Sequence, residues 1–84
     1  MSHTFEKLTA ILTEQYKVDQ SLIAPDSTLS SLGLDSLTLM EFVFSAEDAF
    51  SLRIPENRLG DNLQEVTLAK IAMEIEQIQA RGVV

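Results

Sequence analysis

The sequence contains no cysteine. This excludes a disulfide framework, a thiolate metal site and a thiol nucleophile, and it is compatible with a cytoplasmic location. There is one histidine, His3, close to the N-terminus, where chains commonly fray. That argues against most acid–base and metal chemistry. Basic residues are also scarce: six Lys and Arg stand against thirteen Asp and Glu, a net charge of -7. Nucleic acid binding sets Lys and Arg against phosphates, so this balance argues strongly against it. Anionic membrane surfaces are disfavoured for the same reason. An acidic domain is expected instead to seek basic patches on other proteins. The opening MSHTFEKLTA has neither a cationic start nor an apolar block, so no secretory leader is expected. The apolar stretch from Leu37 to Phe44 is broken by Glu41 and is too short to cross a bilayer.

The 84 residues suffice for one domain, 1–84, and not for two. A domain of this size buries only about 60% of the surface its unfolded chain exposes. It has little room for both a stable core and a deep enzymatic cleft, and a monomer is expected. No repeat, low-complexity tract or sustained period-2 alternation is present. The expected fold is all-α: four helices, with a long loop between the first and second and a short third helix.

Phe5, Leu8, Ile11, Leu12 and Tyr16 recur at helical spacing and predict a first helix from about Thr4 to Tyr16. Ser2 or Thr4 can cap it, with Glu6 in its first turn. The loop from Lys17 to Asp35 carries Pro25-Asp26-Ser27-Thr28, Ser30-Ser31 and Gly33 as breakers, with Leu22, Ile23, Leu29 and Leu32 as apolar anchors. So long a loop in a small domain is often functional. The second helix is expected from Ser36 to Phe50. Pro55 suits the start of a short third helix ending near Gly60. Thr67 can cap the last, whose Leu68, Ile71, Ala72, Ile75 and Ile78 form one stripe before Gly82.

On a helical wheel, Leu39, Phe42, Val43, Ala46, Ala49 and Phe50 occupy one broad arc of the second helix, wide enough to be its core face. Leu37, Met40 and Phe44 fall roughly opposite, with Glu41, Glu47 and Asp48 around them, and the helix has no basic residue. Two readings follow. The three apolar residues pack under the loop or another helix, or they form a docking surface with an acidic rim.

Gly33-Leu34-Asp35-Ser36-Leu37 lies where the loop becomes the helix. Gly33 lets the chain turn, and Asp35 or Ser36 can cap the helix. A helix N-terminus also suits a phosphate, and Ser36 would present its hydroxyl there. A nucleophilic serine needs a neighbouring base, and this chain offers Ser36 none in sequence. Chemical modification of Ser36 would therefore be another enzyme's work.

With Leu32-Gly33-Leu34-Asp35-Ser36-Leu37, a following helix that ends Glu47-Asp48-Ala49-Phe50, then Ile54-Pro55-Glu56 and a helix headed by Thr67, the sequence resembles the acyl carrier protein family over almost its whole length. The resemblance implies a non-enzymatic carrier with 4'-phosphopantetheine on Ser36, beside Asp35. The arm would be donated from coenzyme A by a phosphopantetheinyl transferase and would hold acyl groups as thioesters on its own thiol. It also implies docking of acyl-loading and acyl-processing enzymes, through basic patches, on Leu37, Met40, Glu41, Phe44, Glu47 and Asp48. An acyl cavity would lie between the helices, at Phe42, Ala46 and Phe50 on the second helix. The opposing wall would be Ile54, Leu59, Leu63, Leu68, Ile71 and Ile75. Leu34 and Thr38 stand where fatty-acid-synthesis carriers usually have Ala and Asp, and Leu29 lies three residues before Leu32, a spacing more like polyketide-type or other specialised carriers. The alternatives are an aminoacyl or peptidyl carrier, and a carrier-fold adaptor that uses no arm. A small hydrolase built on Ser36 lacks a base and an oxyanion-hole motif.

Overall fold

The computed structural model describes residues 3–55, 58–60 and 62–81. It is all-helical, with α1 (His3–Gln15), α2 (Ser36–Phe50) and α3 (Leu68–Ala80). Among the described residues there is no strand, only an isolated bridge between Thr28 and Thr67. Nor, among the described residues, is any helix long and apolar enough to cross a membrane.

α1 packs against both α2 and α3. Its Leu8 and Leu12 meet Leu39, Phe42 and Ala46 of α2 and Leu68, Ile71 and Ile75 of α3 in one core, each with almost no exposure. The Tyr16 ring stands edge-on to Phe42, and its hydroxyl bonds Ser45 Oγ at 2.7 Å. A largely buried phenol thus keeps its polar atom satisfied. Thr4 is not the cap of α1. It is the second residue of the helix and is buried, because it lies one turn before Leu8 on the core stripe. Ser2, the other candidate cap, lies outside the described residues.

The stretch between α1 and α2 is divided by two 3-10 turns, Gln20–Leu22 and Ser30–Leu32. Leu29 and Leu32 are buried and Ile23 packs against the core, but Leu22 is exposed. The turn brings Val18 and Ile23 inward and leaves Leu22, between them, facing out. The loop is stitched to the start of α3. Leu29 N–H donates to Val66 O at 3.0 Å, Leu68 N–H to Ser27 O at 3.0 Å, and Ala69 N–H to Pro25 O at 2.8 Å. Thr67 caps α3 by accepting from Lys70 N–H at 3.1 Å. The bonds from Leu68, Ala69 and Lys70 satisfy N–H groups that a helix start leaves without partners.

α2 ends at Ser51, which adopts a left-handed conformation with φ 56°. α2 has no cation in its last turn. Lys7 of α1 supplies one: its Nζ donates to Ala49 O at 3.1 Å and lies 4.9 Å from the centre of the Phe50 ring. The expected short helix from Pro55 to Gly60 includes Glu56 and Asn57, which lie outside the described residues, as does Gly82. Its described part holds one turn, with Arg58 N–H on Pro55 O at 3.0 Å. A 3-10 turn at Leu63–Glu65 follows.

Candidate functional site

Gly33 closes the Ser30–Leu32 turn with φ 78°, a backbone state that costs glycine little and other residues more. The chain then extends through Asp35 and turns into α2. Asp35 is the cap. Its carboxylate accepts from Thr38 N–H at 2.8 Å, and its carbonyl accepts from Leu39 N–H at 2.9 Å. The Thr38 N–H chiefly, then the Thr38 hydroxyl and to a smaller degree the Leu37 N–H hold the Asp35 carboxyl below its usual range, against a small opposing effect of desolvation.

With Asp35 as the cap, Ser36 is not needed for one. It is the first residue of α2, and it is exposed. Its hydrogen-bond partner among the described residues is Gln64, whose Nε2 donates to Ser36 Oγ at 3.2 Å. No histidine, lysine or carboxylate of the described residues is hydrogen-bonded to that hydroxyl.

On the outward face of α2, Leu37 is 70% exposed, Phe44 57% and Met40 37%. They are therefore not packed under the loop. Glu41 and Asp48 are exposed beside them. Glu47 is half-buried, and its Oε2 accepts from Ile54 N–H at 2.7 Å. It is a structural tie as well as a rim charge, which the wheel did not indicate.

A groove of about 580 Å³ runs along this flank. α2 contributes Met40, Val43, Phe44 and Glu47, and the segment after α2 contributes Arg53, Ile54, Pro55, Leu59, Gly60 and Leu63. Of the expected cavity residues, Ile54, Leu59 and Leu63 line it. Phe42, Ala46, Leu68, Ile71 and Ile75 do not: they have no exposure and belong to the packed core. Phe50 packs against that core under Lys7. The reason is that α1 and α3 fill the arc of α2 that the wheel identified as apolar. Space remains where α2 faces an irregular segment with few side chains to fill it. Val43, which periodicity placed with the core, is buried and also lines the groove. Met40 lies one turn after Ser36 and Leu63 is next to Gln64, so the groove begins at the Ser36 end. An exposed first-turn hydroxyl one helical turn from an apolar groove fits a tethered, flexible group.

The far wall is tied to α3. Glu74, only 4% exposed, accepts from Lys70 Nζ at 3.0 Å and pairs with Arg58 Nη1 at 3.4 Å. The Lys70 hydrogen bond chiefly holds its carboxyl below the usual range. Burial opposes this, and the charges of Lys70 and Arg58 add to it. Sequence reasoning missed this buried carboxylate, whose one visible signal was the four-residue spacing from Lys70. No group of three or more potential metal ligands clusters among the described residues.

The family model for the phosphopantetheine attachment site matches residues 6–75. The chain is 39% identical to the acyl carrier protein AcpXL of Brucella melitensis over 75 residues, covering 88% of this chain and 77% of that protein. It is 36% identical to AcpXL of Rhizobium etli, covering 88% and 78%. It is 41% identical to an acyl carrier protein of Guillardia theta, covering 73% and 79%.

Proposed function

This chain belongs to the acyl carrier protein family, and on that premise we propose that Ser36 is the residue that bears its prosthetic group. The protein carries acyl intermediates, and 4'-phosphopantetheine is its covalent arm. One observation carries the choice of Ser36: its exposed hydroxyl stands at the start of α2 while Asp35 alone caps the helix. In the transfer, a bond forms between Ser36 Oγ and the phosphorus of the pantetheine phosphate. The bond from that phosphorus to the nucleotide part of coenzyme A breaks. The hydroxyl proton goes to a base of the phosphopantetheinyl transferase, since the described residues place none at Ser36.

Leu37, Met40 and Phe44, with Glu41 and Asp48, are the docking face for acyl-loading and acyl-processing enzymes with basic patches. Their exposure supports this, as does a helix without a cation. The groove beside Met40 and Phe44 receives the acyl chain, where each buried methylene is worth about 0.8 kcal/mol. Residues 1–84 make up one cytoplasmic carrier domain of the four-helix type. It serves a fatty-acid-like, polyketide-like or other specialised acyl pathway.

The decisive experiment is intact mass after co-expression with a phosphopantetheinyl transferase. Wild type gains one arm, and Ser36→Ala gains none while keeping its helical circular dichroism. An arm that persists on Ser36→Ala would overturn the assignment.

A further inference from the structure

A phosphodiester formed on Ser36 would stand beside the capping carboxylate of Asp35. Thr38 N–H is bonded to that carboxylate at 2.8 Å. The helix terminus therefore presents the phosphate with a neighbouring anion, and that anion already takes one of the first-turn donors. Some other donor must offset that carboxylate if the arm is to be held at its root.

We propose that Gln64 is a positioning residue for the arm: its side-chain amide orients the Ser36 hydroxyl before transfer and donates to the phosphodiester afterwards. The proposal rests on the reading of Ser36 given above. Gln64 Nε2 is 3.2 Å from Ser36 Oγ, although the two residues are 28 apart in sequence. The side chain is aimed by its backbone. Asn62 Oδ1 accepts from Gln64 N–H at 3.1 Å and starts the Leu63–Glu65 turn. Val66 is buried just beyond the turn and accepts from Leu29 N–H at 3.0 Å. The turn contacts α2, and Leu63 lines the groove. Gln64 is thus held between the attachment point and the groove mouth.

An amide suits both states of Ser36. A free hydroxyl both donates and accepts, and either end of the amide satisfies it. Once esterified, Oγ loses its proton, and the group around it only accepts. An N–H donor then still bonds, whereas a carboxylate at the same place would repel. Glu at position 64 would add a second negative charge beside Asp35.

The test uses the full chain in its apo and holo forms, with Ser36→Ala as control. In heteronuclear NMR, the Gln64 side-chain NH2 signals should move when the arm is attached, beyond the shifts of Gln15, Gln20 and the glutamines of α3. The phosphorus resonance of the holo protein should differ between wild type and Gln64→Met. In the transfer assay, Gln64→Glu should lower kcat by about fivefold or more, the scale of one lost hydrogen bond. Gln64→Met should fall between, with KM for the carrier within about twofold. A loaded protein whose Gln64 amide signals and phosphorus resonance are insensitive to these changes would overturn the role of Gln64 and leave Ser36 standing. So would a loss confined to KM, which would place Gln64 in the transferase contact. An arm retained on Ser36→Ala would instead remove the reading on which the proposal rests.

Discussion

At the scale of single residues, Asp35 and Ser36 divide two tasks that one side chain often performs. Asp35 satisfies the helix start, and on the proposed reading Ser36 bears the arm. Asp35→Ala should lower the melting temperature by about 5 °C, the usual scale for a lost cap in a domain of this size. Ser36→Ala should leave it unchanged within error. A thermal melt of both variants decides the matter, and equal losses would mean that Ser36 shares the capping. Acid should act through the same residue. The Asp35 and Glu74 carboxyls are lowered in the folded state, so their contribution is present above the unfolded carboxyl range. It fades as pH falls through their folded values. Asp35→Ala should therefore lose less stability on acidification than wild type.

At the scale of elements, α2 serves three neighbours at once. One arc meets the core, one lines the groove and one faces solvent. Phe42→Ala should cost about 3–5 kcal/mol, the usual result for a buried ring, while Phe44→Ala should stay within about 0.5 kcal/mol and still weaken enzyme binding. Urea titration with a binding assay separates them. A large loss of stability in Phe44→Ala would return that residue to the core. The groove and the core separate in the same way when the protein is loaded with acyl chains of increasing length. Val43→Trp should make the gain in melting temperature level off at shorter chains. Ala46→Leu should cost about 1–3 kcal/mol by overpacking without moving the plateau.

At the scale of the whole molecule, the net charge of -7 on 84 residues opposes compaction. Shortening the screening length from about 30 Å to about 8 Å with salt should raise the melting temperature. A gain of about 1 kcal/mol would appear as about 4–8 °C. An unchanged melt would show that the repulsion is unimportant here. The three long helices were legible in the sequence, because apolar spacing, Asp35 and Thr67 are local signals. The exposed face of α2 was legible too, since opposite arcs of one helix cannot both enter a small core. The groove was not. Its position depends on which arc α1 and α3 fill, and periodicity carries no information about partners. Gln64 and the Glu47–Ile54 tie were hidden for a related reason: each is a contact between irregular segments and α2 that no repeat announces.

The stitches between residues 25–29 and 66–69 have a topological consequence. They bring both ends of the intervening stretch to one place, so that Ser36, all of α2 and the groove wall lie within a single closed loop. A segment pinned at both ends can loosen internally without dragging its anchors apart, and the entropy of closing it need not be lost again when it reseals. Opening of the groove should then be a local event, distinct from unfolding. Native-state hydrogen exchange should display two tiers. The amides of Ile54 and Arg58 should exchange through small openings, and those of Leu29, Leu68 and Ala69 only when the whole chain unravels. If all five share one exchange free energy, the clasp and the groove wall open together and the loop has no independence.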